Sequence, residues 1–403
     1  MDWNLKTLGL LALIPLISGV VGWATNYLAV KMMFYPIEFV GLKPIFGWQG
    51  LIPAKRKEMA EIEVELVLGK LLSVEELAER LDPKALTEAI ERRLQQVIKK
   101  VVNDVMSESA PTLWASMPVQ GKNLVYRRIE HDIPNVVEKM VDDFQHNVNE
   151  IIDIKELVVE QLVNSPELIN EIFLSAGAKE FPFIVRSGFF FGVLFGIPTA
   201  AIWHYFPEWW ILPLGGLLVG YATNWIAIKI IFEPKNPVKL GPFTLQGMFL
   251  KRQKEVSEVY SEIIEKKLIN SQNITHIILH GSGSAQLLEL IELHVNDAIE
   301  RYVAVAQPYF ALGVGSENYF KMKSLAVKLL FENTDKYLFY AYDYANQALR
   351  VGDDLCERMQ ALSSEEFEGV LRPAYQADEW KLIVTGAILG LLAGFGQLNF
   401  IFM

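Results

Sequence analysis

The 403-residue chain has a single cysteine, Cys356, which excludes an internal disulfide framework and a cysteine-rich zinc site. In its helical surroundings that thiol reads as a small, half-buried apolar residue. Basic residues are also short. The 37 Lys and Arg face 48 Asp and Glu, a net charge of −11. That balance argues against a nucleic-acid binder, because neutralising phosphates needs an excess of clustered cations. Charge of either sign is missing from residues 187–228 apart from Glu208, a gap foreign to a water-soluble fold. Enzyme signatures are lacking too. His276 and His280 stand at i and i+4 without the glutamate of a metalloprotease helix. The run Gly281–Ser284 has neither a preceding strand nor a lysine, so it reads as a turn, and nothing resembles a nucleophile elbow or a P-loop. The expectation is a non-enzyme with no catalytic residues, no metal site and no cofactor.

Apolar residue types supply 51% of the chain, and they concentrate in four runs: Leu8–Val30, Phe183–His204, Trp209–Ile228 and Leu382–Met403. Each has the roughly 20 residues that a helix needs to cross a bilayer. The first run is too long for a secretory signal and ends in no A-x-A-like site, so it reads as a retained anchor. The middle two are joined only by Tyr205–Glu208, with Trp203, Trp209 and Trp210 around the turn as an interfacial aromatic belt. Segments 1–33, 182–205, 209–232 and 381–403 are thus expected to span, and 34–181 and 233–380 to be helical soluble lobes. Four crossings place both lobes on one side. Lys43, Lys179, Lys235, Lys239, Lys251, Arg372 and Lys381 flank the membrane there, against Lys6 alone opposite, so the lobes are expected to be cytosolic.

The chain matches itself at a fixed shift. Residues 15–36, PLISGVVGWATNYLAVKMMFYP, fall on 213–234, PLGGLLVGYATNWIAIKIIFEP, with 11 of 22 identical and a shift of 213 − 15 = 198. The same shift carries Gly188, Gly192 and Gly196 onto Gly386, Gly390 and Gly394, and Leu157, Ser165 and Glu167 onto Leu355, Ser363 and Glu365. The expected fold is all-α: four transmembrane helices in two tandem, parallel repeats related by a pseudo-twofold axis along the membrane normal. Within the lobes, apolar stripes recur at spacings of three and four. Leu86, Ile90, Leu94, Val97, Val101 and Val105 form one, Ile129, Ile133, Val137, Met140, Phe144 and Val148 another, and Leu288, Ile291, Val295, Ala298 and Tyr302 a third. No hairpin-like alternation stands out. The stripes pack as helix-bundle core or line a groove for acyl chains.

The most specific pattern is Gly22-x-Ala24-Thr25-Asn26-x-x-Ala29-x-Lys31, repeated at Gly220, Thr223, Asn224 and Lys229. Gly22, Asn26 and Ala29 share one helix face, small and polar, that should meet protein and not lipid. The two asparagines are expected near one another across the pseudo-twofold axis. They either bond helices together or form a polar site for a headgroup, ion or solute. Lys31 and Lys229 snorkel to the headgroups or bind a lipid phosphate. The glycine ladders bring helices into close contact. Pro15 and Pro213 kink their helices or break them into re-entrant segments. Beneath each motif lies a basic cluster, Lys55, Arg56 and Lys57 in one and Lys251, Arg252 and Lys254 in the other, which sets topology or attracts anionic headgroups.

At Gly22–Pro36, Gln49–Lys57 and Gly386–Gln397 the chain resembles the DUF445 or UPF0754 family of bacterial membrane proteins. The resemblance implies a multi-pass protein of the cell (inner) membrane and brings no catalytic residues. It departs at Leu250, where the first copy has Pro53, so the second basic helix is expected to start differently. The functional expectation is a scaffold or lipid-interacting protein, with membrane lipids, a second copy or other membrane proteins as partners. The alternative is a transporter or channel-like component with a polar site near Asn26 and Asn224.

Overall fold

A segment in hydrocarbon must satisfy its own backbone groups, and the four apolar runs accordingly form helices. The computed structural model describes residues 5–42, 46–310, 316–372, 376 and 379–399. Lys43 and the ends of the first and last expected spans, Met1 and Met403 among them, lie outside these. In chain order the helices begin with α1 (Leu5–Phe34), α2 (Leu51–Ala54), α3 (Arg56–Lys70), α4 (Val74–Glu79) and α5 (Pro83–Ser109). Next come α6 (Pro111–Ser116), α7 (Val119–His146), α8 (Val148–Ile151), α9 (Ile154–Asn164), α10 (Pro166–Ala176), α11 (Glu180–Tyr205) and α12 (Ile211–Phe232). The chain continues through α13 (Met248–Lys251), α14 (Gln253–Ile263), a π-helical turn at Ile264–Leu268, α15 (Ser271–His280), α16 (Ser284–Phe310) and α17 (Ser316–Glu332). It closes with α18 (Thr334–Leu338), a 3₁₀ turn at Phe339–Ala341, α19 (Tyr342–Leu349), α20 (Val351–Ala361), α21 (Ser364–Leu371) and α22 (Glu379–Gln397). Four helices among the described residues are long and apolar enough to cross a membrane: Leu11–Phe34 of α1, α11, α12 and α22.

Two expectations are corrected. The chain is not wholly helical. Strands β1 (Val40–Leu42) and β2 (Phe46–Trp48) pair antiparallel, as do β3 (Val238–Leu240) and β4 (Phe243–Leu245). Strands of three residues are too short to show alternation, which is why the sequence hides them. Gly241, with φ +62, supplies the left-handed residue that a tight hairpin turn requires. The second basic segment also does not start differently. Helices break after Ala54 and after Lys251, then restart at Arg56 and Gln253. A proline in a first turn costs a helix nothing, because its missing N–H has no partner there anyway, so Pro53 and Leu250 serve equally. The proline-bearing spans are continuous: α1 runs through Pro15, and Pro213 lies in the first turn of α12.

Compactness groups the chain differently from chain order. One unit comprises residues 1–67, 161–263 and 355–403, and the other 68–160 and 264–354. In the first, the four candidate spans pack against one another. Ile14, Leu212 and Leu398 form a buried cluster there, with Leu11, Ala200 and Trp203 around it. The small, polar stripe faces protein as expected, since Gly22, Thr25, Asn26 and Ala29 are all buried while Trp23 and Tyr27 are exposed. Asn170 ties α10 to the end of α1 through a 2.7 Å bond to the Phe34 carbonyl.

In the second unit, α4–α8 pack with α15–α19. Side chains cap the helix starts: Ser73 accepts from the Glu76 N–H, Asp82 from Lys84 and Asn270 from Asn273. Polar bonds join its two chain segments. Arg80 pairs with Asp354 at 2.6 Å, His294 with Asp143 at 2.8 Å, and the Tyr302 hydroxyl donates to Asp132 at 3.0 Å. Ile90, Leu94 and Ala341 form a buried cluster between the segments.

Candidate functional site

The amphipathic periods of α5, α7 and α16 turn their apolar stripes inward in the second unit. Ile90 and Leu94 of α5, Ile133 and Val137 of α7, and Ile291 and Val295 of α16 line a half-enclosed cavity of about 390 Å³. The stripes form core, and that core surrounds a groove. Leu288, expected on the α16 stripe, is exposed instead, and Leu287 and Leu290 line the wall. No charged side chain lines this cavity among the described residues.

Its polar wall groups are hydroxyls. Thr334 and Tyr337 bond each other at 2.7 Å, and burial pushes the Tyr337 phenol up to about 12. Burial, together with the bond to Asp132, likewise raises Tyr302. Both phenols are neutral at physiological pH, so the wall carries no charge. The sequence reading missed the wall formed by Ala326, Leu330, Thr334, Tyr337, Ala341 and Ala345. A helical spacing is present there, but small and hydroxylated residues give it little apolar contrast, and a helix break at Asn333 interrupts it.

In the membrane unit the motif residues make helix hairpins. Asn26 Nδ2 donates to the Ile184 carbonyl at 2.7 Å, and Asn224 Nδ2 to the Leu382 carbonyl at 2.8 Å. Each asparagine thus binds α1 to α11 or α12 to α22, and neither amide donates to the other. The two amides form two separate latches. Thr25 and Thr223 bond back to Gly22 and Gly220. The ladders meet the motif glycines directly: a Cβ on Gly22 would fall on the Gly188 carbonyl, and one on Gly220 on that of Gly386. Gly192 and Gly196 approach Ser18 and Pro15, while Gly390 and Gly394 approach Gly216 and Leu212. Lys31 is exposed, and Lys229 pairs with Glu233 at 2.6 Å.

The basic clusters divide. Arg252 is largely withdrawn from solvent. It holds both oxygens of the buried Glu180 at 2.6 Å and also pairs with Glu255, a clamp of α14 onto α11. Arg252 and Lys179 hold the Glu255 carboxyl down at about 2. Lys55 lies 3.7 Å from Glu58, and Lys57, Lys251 and Lys254 are exposed. His276 and His280 have ring centroids 4.9 Å apart, with the rings tilted by 59°. No group of three metal-ligating side chains forms among the described residues.

The family described as "Protein of unknown function (DUF445)" matches residues 16–118, from the first spanning helix through α6. The chain is a homologue of the UPF0754 membrane proteins. That of Microcystis aeruginosa is 30% identical over 157 residues, 37% of either chain. That of Exiguobacterium sibiricum is 34% identical over 101 residues, 25% of this chain and 26% of the relative. That of Synechococcus elongatus is 40% identical over 84 residues, 19% of this chain and 20% of the relative. The similarity therefore spans little more than a third of these relatives at most. No solved structure matches. Taken with its four candidate spans, this homology makes the chain a membrane protein.

Proposed function

We propose that this chain is a non-enzymatic, lipid-interacting protein of the bacterial inner membrane whose helical unit holds an acyl chain. The observation that carries the reading is the uncharged cavity of about 390 Å³, within the usual range of about 300–1,000 Å³ for ligand sites. Water in a space with so few polar partners is poorly hydrogen-bonded, whereas each buried methylene of an acyl chain contributes about 0.8 kcal/mol.

The same reading takes the chain as two tandem, parallel copies with both helical segments cytosolic. Support comes from features that recur at the sequence shift: the two asparagine latches, the glycine approaches and the two small hairpins. The charge bias supports the cytosolic side. The test is native mass spectrometry of the full chain extracted in detergent. Lipid is expected to copurify, and Ala298→Phe, which fills the cavity, is expected to reduce its retention about tenfold. Leu293→Phe, on the exposed face of the same helix, leaves it unchanged. Absence of bound lipid in the wild type, or equal retention by folded Ala298→Phe, overturns the proposal. For sidedness, an introduced cysteine at position 120 is expected to resist a periplasmic reagent that labels one at 208.

A further inference from the structure

We infer that a pocket at the membrane boundary, formed by the end of α12, the start of α22 and Arg372, binds the headgroup of a zwitterionic phospholipid bearing a phosphate and a primary ammonium. It lies in the membrane unit and does not depend on the acyl-chain cavity. Its volume is about 280 Å³, and Trp225, Lys229, Glu233, Arg372, Glu379 and Trp380 line it. Depth is set by the helices. Lys229 is in the last turn of one candidate span, and Glu379 begins another. Trp225 and Trp380 are 45% and 59% exposed, the position of interfacial aromatics beside lipid headgroups.

The charge pattern selects the ligand. Among the described residues two cations and two carboxylates line the pocket, with the buried Glu368 behind them holding Arg372 and Lys235, so a purely anionic headgroup meets the carboxylates and a cationic one meets two cations. A headgroup carrying both charges satisfies all four groups. Lys229 and Glu233 form a pair 42% and 40% exposed, and an ion pair so open to water exchanges partners at little cost. Its opening lets the phosphate take Lys229, beside the Arg372 guanidinium that Glu368 and Glu379 hold in place. The ammonium then passes to Glu233 and Glu379, between indole faces that favour a cation. A primary ammonium offers three N–H donors to these carboxylates, and a trimethylammonium offers none.

The positions 198 residues earlier are Tyr27, Lys31, Tyr35, Leu174, Phe181 and Pro182. The boundary lysine is kept there, but the arginine and both acids are absent. Marking the membrane boundary therefore needs only the lysine, and the four-charge arrangement occurs once among the described residues.

The test titrates the full chain in detergent with phosphatidylethanolamine, phosphatidylcholine and phosphatidylglycerol of identical acyl chains, read by native mass spectrometry. One phosphatidylethanolamine is expected to bind about tenfold more tightly than either other lipid. Lys229→Gln should weaken phosphatidylethanolamine and phosphatidylcholine alike, whereas Glu233→Gln and Glu379→Gln should remove the preference between them. Equal binding of the three lipids, or an undiminished preference in folded Glu233→Gln, overturns the inference. Glu233 is half exposed, so that variant carries the test if Glu379→Gln fails to fold. Free phosphoethanolamine competing at the lipid's own concentration would make the ligand a soluble phosphate ester and overturn the lipid assignment. Competition only at far higher concentration supports it. Ala298→Phe leaves this preference intact, which separates failure here from failure of the acyl-chain reading.

Discussion

At the scale of single residues, the two asparagine latches look alike but are not energetically equal. Interhelical hydrogen bonds within membranes are worth about 0.6–1.7 kcal/mol. Asn26 makes its bond, yet its Oδ1 is buried without a partner, and a buried unsatisfied acceptor costs about 1–3 kcal/mol. Removing the amide at 26 therefore removes a gain and a penalty together. Asn26→Ala is expected to be near neutral and Asn224→Ala to destabilise by about 1 kcal/mol, measured by unfolding in detergent; a larger loss at 26 would contradict this. Glu255 gives a pH signature. Its folded carboxyl, held by Arg252 and then Lys179, lies at about 2 against an ordinary 4.5. A depressed acid stabilises fully above its unfolded value, and that contribution is lost as pH falls from 4.5 towards 2. The melting-temperature gap between wild type and Glu255→Gln should thus shrink between pH 5 and pH 3. A constant gap would mean that the pairing does not differ between folded and unfolded chains.

At the scale of elements, the glycines of α22 separate packing from composition. A Cβ on Gly386 would strike Asn224 and the Gly220 carbonyl, whereas one on Gly396 meets nothing within 4 Å. Gly386→Val should separate α12 from α22 and cost about 1–3 kcal/mol or more through overpacking. Gly396→Ala should be neutral or slightly stabilising, because alanine favours helix; thermal unfolding of the two variants distinguishes them. The spanning helices and the glycine ladders were legible in the sequence because hydrocarbon imposes a long apolar run and close approach imposes glycine. The stripes of α5 and α7 were legible for the same kind of reason, a 3.6-residue period. What period could not reveal was partner choice. The Glu180–Arg252 clamp joins residues 72 apart, and no local pattern marks which carboxylate a guanidinium will find. The four charges at the membrane boundary escaped likewise, since Arg372 and Glu379 reach Lys229 only through the fold.

At the scale of the whole molecule, the chain builds its second unit from two distant stretches, 68–160 and 264–354. That interleaving has a consequence for fragments. The stripe of α5 meets α7 from its own segment, but Ala341 completes the buried cluster around Ile90 and Leu94. Arg80, Asp132 and Asp143 also find their partners in the other segment. Residues 68–160 alone would expose apolar helix faces that the stretch's own helices do not cover, and an exposed patch of that kind leads to aggregation. Expressed separately, each stretch is expected to be insoluble or to lack a cooperative melting transition. Coexpressed, or joined by a flexible linker, the two should recover a single transition by circular dichroism. A soluble, cooperatively melting 68–160 fragment would show that each stretch completes its own core. The cavity would then belong to two bodies and not one, and the acyl-chain site, which draws its walls from both stretches, would lose its frame.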